Sequence, residues 1–119
     1  MKITGKFTKE AEFFAKLLDI DNFTLKIKKY KKSDYSGWLK RTNKGFVLRA
    51  NDLRTIAHEM VHLKQQLKHE LVDSGELVFW KGEPMPMTNN IENDSYWLSP
   101  WEMESRAMED YLLFKWSNK

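Results

Sequence analysis

Cysteine is absent from the 119 residues, which excludes disulfides, thiolate-held zinc and thiol catalysis, so any metal must be held by histidine and carboxylate. Long apolar runs are missing too. No stretch approaches the roughly 20 apolar residues that span a bilayer, and Met1-Lys2-Ile3-Thr4-Gly5-Lys6 has none of the apolar core of a secretory leader. A cytoplasmic protein without membrane association is the expectation. Proline numbers three, all late in the chain (Pro84, Pro86 and Pro100), in a region that also loses its hydrophobic periodicity.

What is present is an ordinary globular composition, 41% hydrophobic and 31% charged, in a length that favours one domain over residues 1–119. Net charge is only +3, from 20 basic and 17 acidic residues. The excess is local. Between Lys26 and Lys44 there are eight Lys or Arg and one acid, Asp34, interleaved with Tyr30, Tyr35 and Trp38. That run has the composition of a nucleic-acid surface, but the alternation of Leu25 and Ile27 with Lys26 and Lys28 also describes the solvated face of a sheet whose lysines discourage edge pairing. The second reading is the simpler one.

Spacing predicts a short N-terminal helix from Thr8 through Ala11, Phe14, Ala15 and Leu18, with Thr8 as its cap. Three strands are predicted next, over Phe23–Tyr30, Ser36–Arg41 and Gly45–Arg49, the last two joined by the turn Thr42-Asn43-Lys44-Gly45. Asn51 or Asp52 should cap a long central helix from Leu53 to Val72, ended by Asp73-Ser74-Gly75. Leu77 to Trp80 reads as one further strand, and Trp80 to Tyr96 as a long functional or irregular segment. Ser99-Pro100-Trp101-Glu102 is a helix start, with Ser99 as cap, Pro100 in the first turn and Glu102 completing a capping box. The apolar face of that last helix is expected to carry Trp101, Ala107, Met108, Tyr111 and Leu112. The fold class is therefore α+β, with an N-terminal helix, a small twisted sheet of three or four strands, a central helix and a C-terminal helix packed against it.

Inside the central helix lies His58-Glu59-Met60-Val61-His62. Residues four apart stack on one helical face, so both imidazoles can reach one cation, and Glu59 is placed to act as a general base on water. Leu53, Ile56, Ala57, Met60, Leu63, Lys64 and Leu67 form the adjoining stripe, which leaves His58 and His62 at its rim. A catalytic zinc usually takes three protein ligands. His69 is one candidate, but seven residues past His62 it lies about 10 Å further along the same helix, out of reach. The metzincin extension is missing, since Gln65 and Lys68 stand where it has Gly and His. A glutamate from the last helix is the better source, and two compete. Glu104 falls within the apolar stripe, between Trp101 and Ala107 or Met108, where an inward charge needs a partner; Glu102 has the capping box as its plain explanation.

Ala57-His58-Glu59-Met60-Val61-His62 with Gln65-Gln66, then Pro100-Trp101-Glu102-Met103-Glu104-Ser105, resembles the small gluzincin-type or SprT-like zinc metallopeptidases of phage and bacterial genomes, within the zincin superfamily. The resemblance implies a minimal zincin-like fold, a Zn²⁺ cofactor, a peptide or protein substrate, and a third ligand on a later helix followed by a small residue and then Asp or Asn. Ser105 and Ala107 supply the small residue after Glu102 and Glu104 respectively, whereas Arg106 and Met108 stand where the acid or amide would be. The family's frequent Glu-x-Glu-Ala spelling favours Glu102, the amphipathic pattern favours Glu104, and both stay open. The resemblance also implies that the strand before the active helix, Gly45–Arg49, lines the cleft and pairs with an extended peptide. Tyr96, Arg106 and Tyr111 are the candidates for an oxyanion donor, and Trp80, Trp97 and Trp101 for a pocket wall, although aromatics at such spacing more often belong to a core. Two other readings have different requirements: a zinc-stabilised interaction or regulatory module needs the ligands but not Glu59, and a nucleic-acid module needs the basic run but not the motif.

Overall fold

Leu25 and Ile27 alternate with exposed Thr24 and Lys26, and Phe46 and Leu48 repeat the pattern two strands along; this period of two builds a sheet with one dry face. The computed structural model describes residues 1–29, 37–75, 77–85 and 99–119. Its strands β1 (Lys2–Gly5), β2 (Thr24–Lys28), β3 (Trp38–Thr42) and β4 (Gly45–Arg49) form one mixed sheet in the order β1-β2-β4-β3. The pairs β1–β2 and β2–β4 are parallel, with Ile3 opposite Leu25 and Leu25 opposite Phe46, while β3 returns antiparallel to β4 through the Thr42–Gly45 turn. Gly45 has φ 132° and lies so close to the Thr24 carbonyl that a Cβ there would collide with it.

Three helices are formed among the described residues: α1 (Thr8–Leu17) and α2 (Leu53–Leu67) pack on the dry face, and α3 (Pro100–Ser117) packs against α2 and α1. Phe14, Leu25, Ile27, Leu48, Ile56, Met60, Leu63 and Leu112 are fully buried between them and the sheet, each burial being worth about 1.5–3 kcal/mol against solvent exposure. Phe13, Phe14 and Trp116 meet edge to face, with centroids 5.3 to 6.4 Å apart, and fasten the end of α3 to α1. No helix of the described residues is long and apolar enough to cross a membrane.

The α+β class is as expected, and several local expectations are corrected. Thr8 is the first residue of α1 rather than its cap; the cap is Phe7, in a left-handed conformation with φ 53° and no side-chain bond. The central helix stops at Leu67, five residues early. His69 adopts φ 56°, its N–H donates to the Gln66 carbonyl and the Glu70 N–H to that of Gln65, so the last carbonyls are satisfied as in a glycine-terminated helix, without glycine. The chain then forms a second, three-stranded antiparallel sheet, β5 (Leu71–Asp73), β6 (Val78–Trp80) and β7 (Glu83–Met85). Lys81 and Gly82, both at positive φ, make the tight hairpin turn between its last two strands. Tyr30, Tyr35, Asp34, Pro86, Tyr96, Trp97 and most of the expected long segment before α3 lie outside the described residues.

Candidate metal centre

Asp52 caps α2, accepting the Thr55 N–H at 2.8 Å, and this sets the helix phase that follows. Ile56, Ala57, Met60, Val61 and Leu63 then turn to the core, which leaves His58 and His62 one turn apart on the flank facing α3. Their ring centroids are 4.9 Å apart and their planes 78°. Helix α3 runs antiparallel to α2, because Arg54, His58 and Gln65 meet Asp110, Glu109 and Trp101 in descending order. The Ser105 hydroxyl donates to the His58 carbonyl at 2.6 Å, a close helix contact that a larger side chain would prevent.

Glu102 faces the histidines. Its Oε1 lies 3.0 Å from His62 Nε2 and its Oε2 3.3 Å from His58 Nε2, with the residue only 6% exposed. The other ring nitrogens are held from behind. His62 Nδ1 donates to Gln65 Oε1 at 2.8 Å, and His58 Nδ1 lies 3.3 Å from Glu109 Oε2. The Gln65 amide cannot turn over, since its nitrogen already donates to the Trp101 carbonyl (2.9 Å) and to Glu104 Oε1 (3.0 Å). Acceptors at both Nδ1 atoms keep the protons there and leave the two Nε2 atoms facing the Glu102 carboxylate, one on each of its oxygens.

Glu104 does not join this group. It binds Lys64 Nζ at 3.0 Å and Gln65, one layer behind His62. The expected stripe on α3 is corrected in part: Met108 and Leu112 pack inward as expected, Ala107 and Tyr111 are exposed, and Glu102, Ser105 and Glu109 share the inward side. The capping box is also corrected, since Ser99 caps α3 without a side-chain cap bond and Glu102 is turned to the imidazoles. Glu109 was missed in the sequence. It sits seven residues, two turns, beyond Glu102 and so on the same face, and its carboxylate reaches His58 Nδ1.

Electrostatics follow from burial against pairing. Burial disfavours a charged His62, but the Glu102 hydrogen bond, the charges of Glu59 and Glu102 and the Gln65 bond outweigh it and hold the ring up at about 9. Burial likewise opposes ionisation of Glu102, and the bonds from His58 and His62 reverse that, leaving its carboxyl well below the usual range. Glu59, 8% exposed, is pushed up chiefly by burial; the two histidines pull it down and Glu102 adds to the rise. One ligand atom from each of His58, Glu59 and His62 can be chosen with all three within 4.8 Å of one another. A carboxylate buried against two imidazoles with their outer nitrogens already occupied is a donor set suited to a divalent cation.

A cleft of about 510 Å³ opens over this group. Gly37, Trp38 and Leu39 form one wall, and Arg106 lies on the α3 side. Gly37 has φ 142°, and a Cβ there would strike the Thr55 side chain and the Arg49 carbonyl. The expectation that Gly45–Arg49 lines the cleft is corrected: β4 is interior, paired on both sides, and β3 is the sheet edge at the cleft. Of the oxyanion candidates Arg106 lines the cleft, Tyr111 is 43% exposed under Lys115, and Tyr96 lies outside the described residues. Trp80 and Trp101 pack on each other at 6.2 Å, away from the cleft lining. His69 is exposed beyond the end of α2. No family model, curated protein or solved structure matches this chain.

Removing a rear support should loosen the candidate ligands without removing one. Gln65→Leu and Glu109→Ala are each expected to lower zinc affinity by roughly 10–100-fold, read by competition with a chromophoric chelator; wild-type affinity in both would show that the Nδ1 contacts do not orient the rings.

Proposed function

We propose that the protein is a zinc-dependent metallopeptidase of minimal zincin-like fold, in keeping with the SprT-like or gluzincin-type resemblance of its motifs. The observation that carries this reading is the convergence of both Nε2 atoms on the Glu102 carboxylate, with both Nδ1 atoms held from behind. His58, His62 and Glu102 would hold the cation. Zinc in a two-histidine, one-carboxylate set acidifies water toward a pKa of about 7 and polarises a carbonyl oxygen.

The chain's own groups do the rest. Glu59 accepts a proton from the attacking water and returns it to the amine nitrogen as the peptide C–N bond breaks. Burial, by raising this carboxylate, strengthens it as a base. Arg106, which lines the cleft, is the candidate to stabilise the oxyanion. The β3 edge supports an extended peptide, which would add as a further strand with its scissile bond over the histidines.

Metal binding should depend on pH in a determined direction. His62 must give up its Nε2 proton before that nitrogen can bind a cation, and the ring is held up at about 9. Zinc affinity is therefore expected to rise about tenfold per pH unit from pH 6.5 and to level off near pH 9. A chelator competition across this range measures it. A flat response would place the metal elsewhere.

The test of the reading is hydrolysis of casein or a quenched peptide library by zinc-loaded protein, lost on chelation and restored by zinc. Zinc-loaded protein that leaves both substrates intact would favour a zinc-stabilised module without catalysis.

A further inference from the structure

The strand registers bring cations from four strands onto the face of the main sheet that the helices leave open. Three cross-strand rows can be traced. Lys2 stands opposite Thr24; Thr4, Lys26, Val47 and Lys40 make the middle row; Lys28, Arg49 and Trp38 make the third. Every charged residue in these rows is cationic. Lys2, Lys26 and Lys40 are exposed and Lys28 and Arg49 half-buried, and no acid stands at any outward position of the four strands. Part of the basic run read in the sequence thus becomes one surface, with Lys2 and Arg49 added from outside that run.

Trp38 changes what this surface can hold. The Arg49 guanidinium lies over one face of its ring, 5.5 Å from the centroid, which pairs a cation with an aromatic at the sheet edge. Lysines alone suffice to keep a sheet soluble; an aromatic among cations also offers a platform on which a base can stack. The shape decides between forms of nucleic acid. Four strands spaced about 4.8 Å apart make a face roughly 14 Å wide between its outer strands, too broad to enter a major groove of about 12 Å. A single strand can lie across it, with phosphates on the lysines and a base against Trp38. We propose that the outer face of the β1-β2-β4-β3 sheet binds single-stranded nucleic acid through Lys2, Lys26, Lys28, Lys40, Arg49 and Trp38.

The face contains none of the groups assigned to the metal; of its residues only Trp38 also lines the cleft, and the lysines changed in the test lie outside it, so the test stands or falls apart from the hydrolase reading. Fluorescence anisotropy of a labelled mixed-sequence DNA oligonucleotide, single-stranded and annealed, is the measurement. Single-stranded binding is expected, with a slope of log affinity against log salt of roughly −2 to −3.5 for three to five phosphates. Lys26→Glu with Lys40→Glu should weaken it at least about tenfold while leaving the melting temperature and zinc content unchanged. The charge-matched pair Lys9→Glu with Lys68→Glu, both exposed and off this face, should change it less than about threefold. Equal weakening by the two pairs would reduce the effect to net charge and overturn the proposal. Tighter binding of the annealed DNA, or binding to phosphatidylserine vesicles without binding to the oligonucleotide, would overturn it as well.

Discussion

Replacing Glu59 by Gln is expected to lower peptide hydrolysis by about 10²–10⁴-fold while zinc content stays at the wild-type level. The amide has the shape of the carboxylate but cannot accept a proton, so water in the cleft loses its base. Because Glu59 is buried and pushed up by that burial, the neutral amide also removes a desolvated charge, and thermal stability should hold or rise. Turnover on a quenched peptide library, measured beside zinc content, checks both halves. Turnover within about threefold of wild type would mean that Glu59 is not the base.

Glu102→Ala and Glu104→Ala should behave very differently although two residues apart. Without Glu102 the set loses an oxygen donor, and zinc affinity should fall by more than the roughly 10–100-fold of an outer-support change. In the metal-free protein His62 also loses the hydrogen bond and the charge of Glu102, two of the contributions that together outweigh its burial, so it gives up its proton more readily. That keeps the destabilisation below the ~3–5 kcal/mol of an ion pair broken with its buried charge left behind. Removing Glu104 leaves Lys64 with Glu70 at 2.8 Å and Gln65 with the Trp101 carbonyl, so the cost should be about 0–1 kcal/mol and zinc affinity should change less than tenfold. Calorimetric zinc titration of the two variants separates them; a larger loss in Glu104→Ala would reverse the assignment.

The helix bearing His58, Glu59 and His62 was legible because its apolar stripe is unbroken and Asp52 is an ordinary cap. The β3–β4 hairpin was legible from Thr42 to Gly45, and the start of α3 from Ser99-Pro100. Elsewhere the signals were short or of an unusual kind. Strand β1 spans four residues with Ile3 its one partly buried apolar side chain, too few to display an alternation. Helix α2 ends on His69 at φ 56°, where stop rules look for Gly or Asn. On α3 the apolar pattern was right only in part, because Met108 and Leu112 do pack inward while Glu102, Ser105 and Glu109 share that side and Ala107 and Tyr111 face solvent. A helix that places acids inside at one end and Leu112 and Trp116 against the core at the other gives no clean stripe, so periodicity alone did not tell which glutamate faces the histidines.

X-ray absorption at the zinc edge of protein loaded with one equivalent tests the shared cation most directly. Two imidazole nitrogens at about 2.0–2.1 Å with carboxylate oxygen at about 2.0–2.2 Å are expected, and the imidazole scattering should drop in His62→Ala. A shell of oxygens alone, or a spectrum that His62→Ala leaves unchanged, would contradict the account.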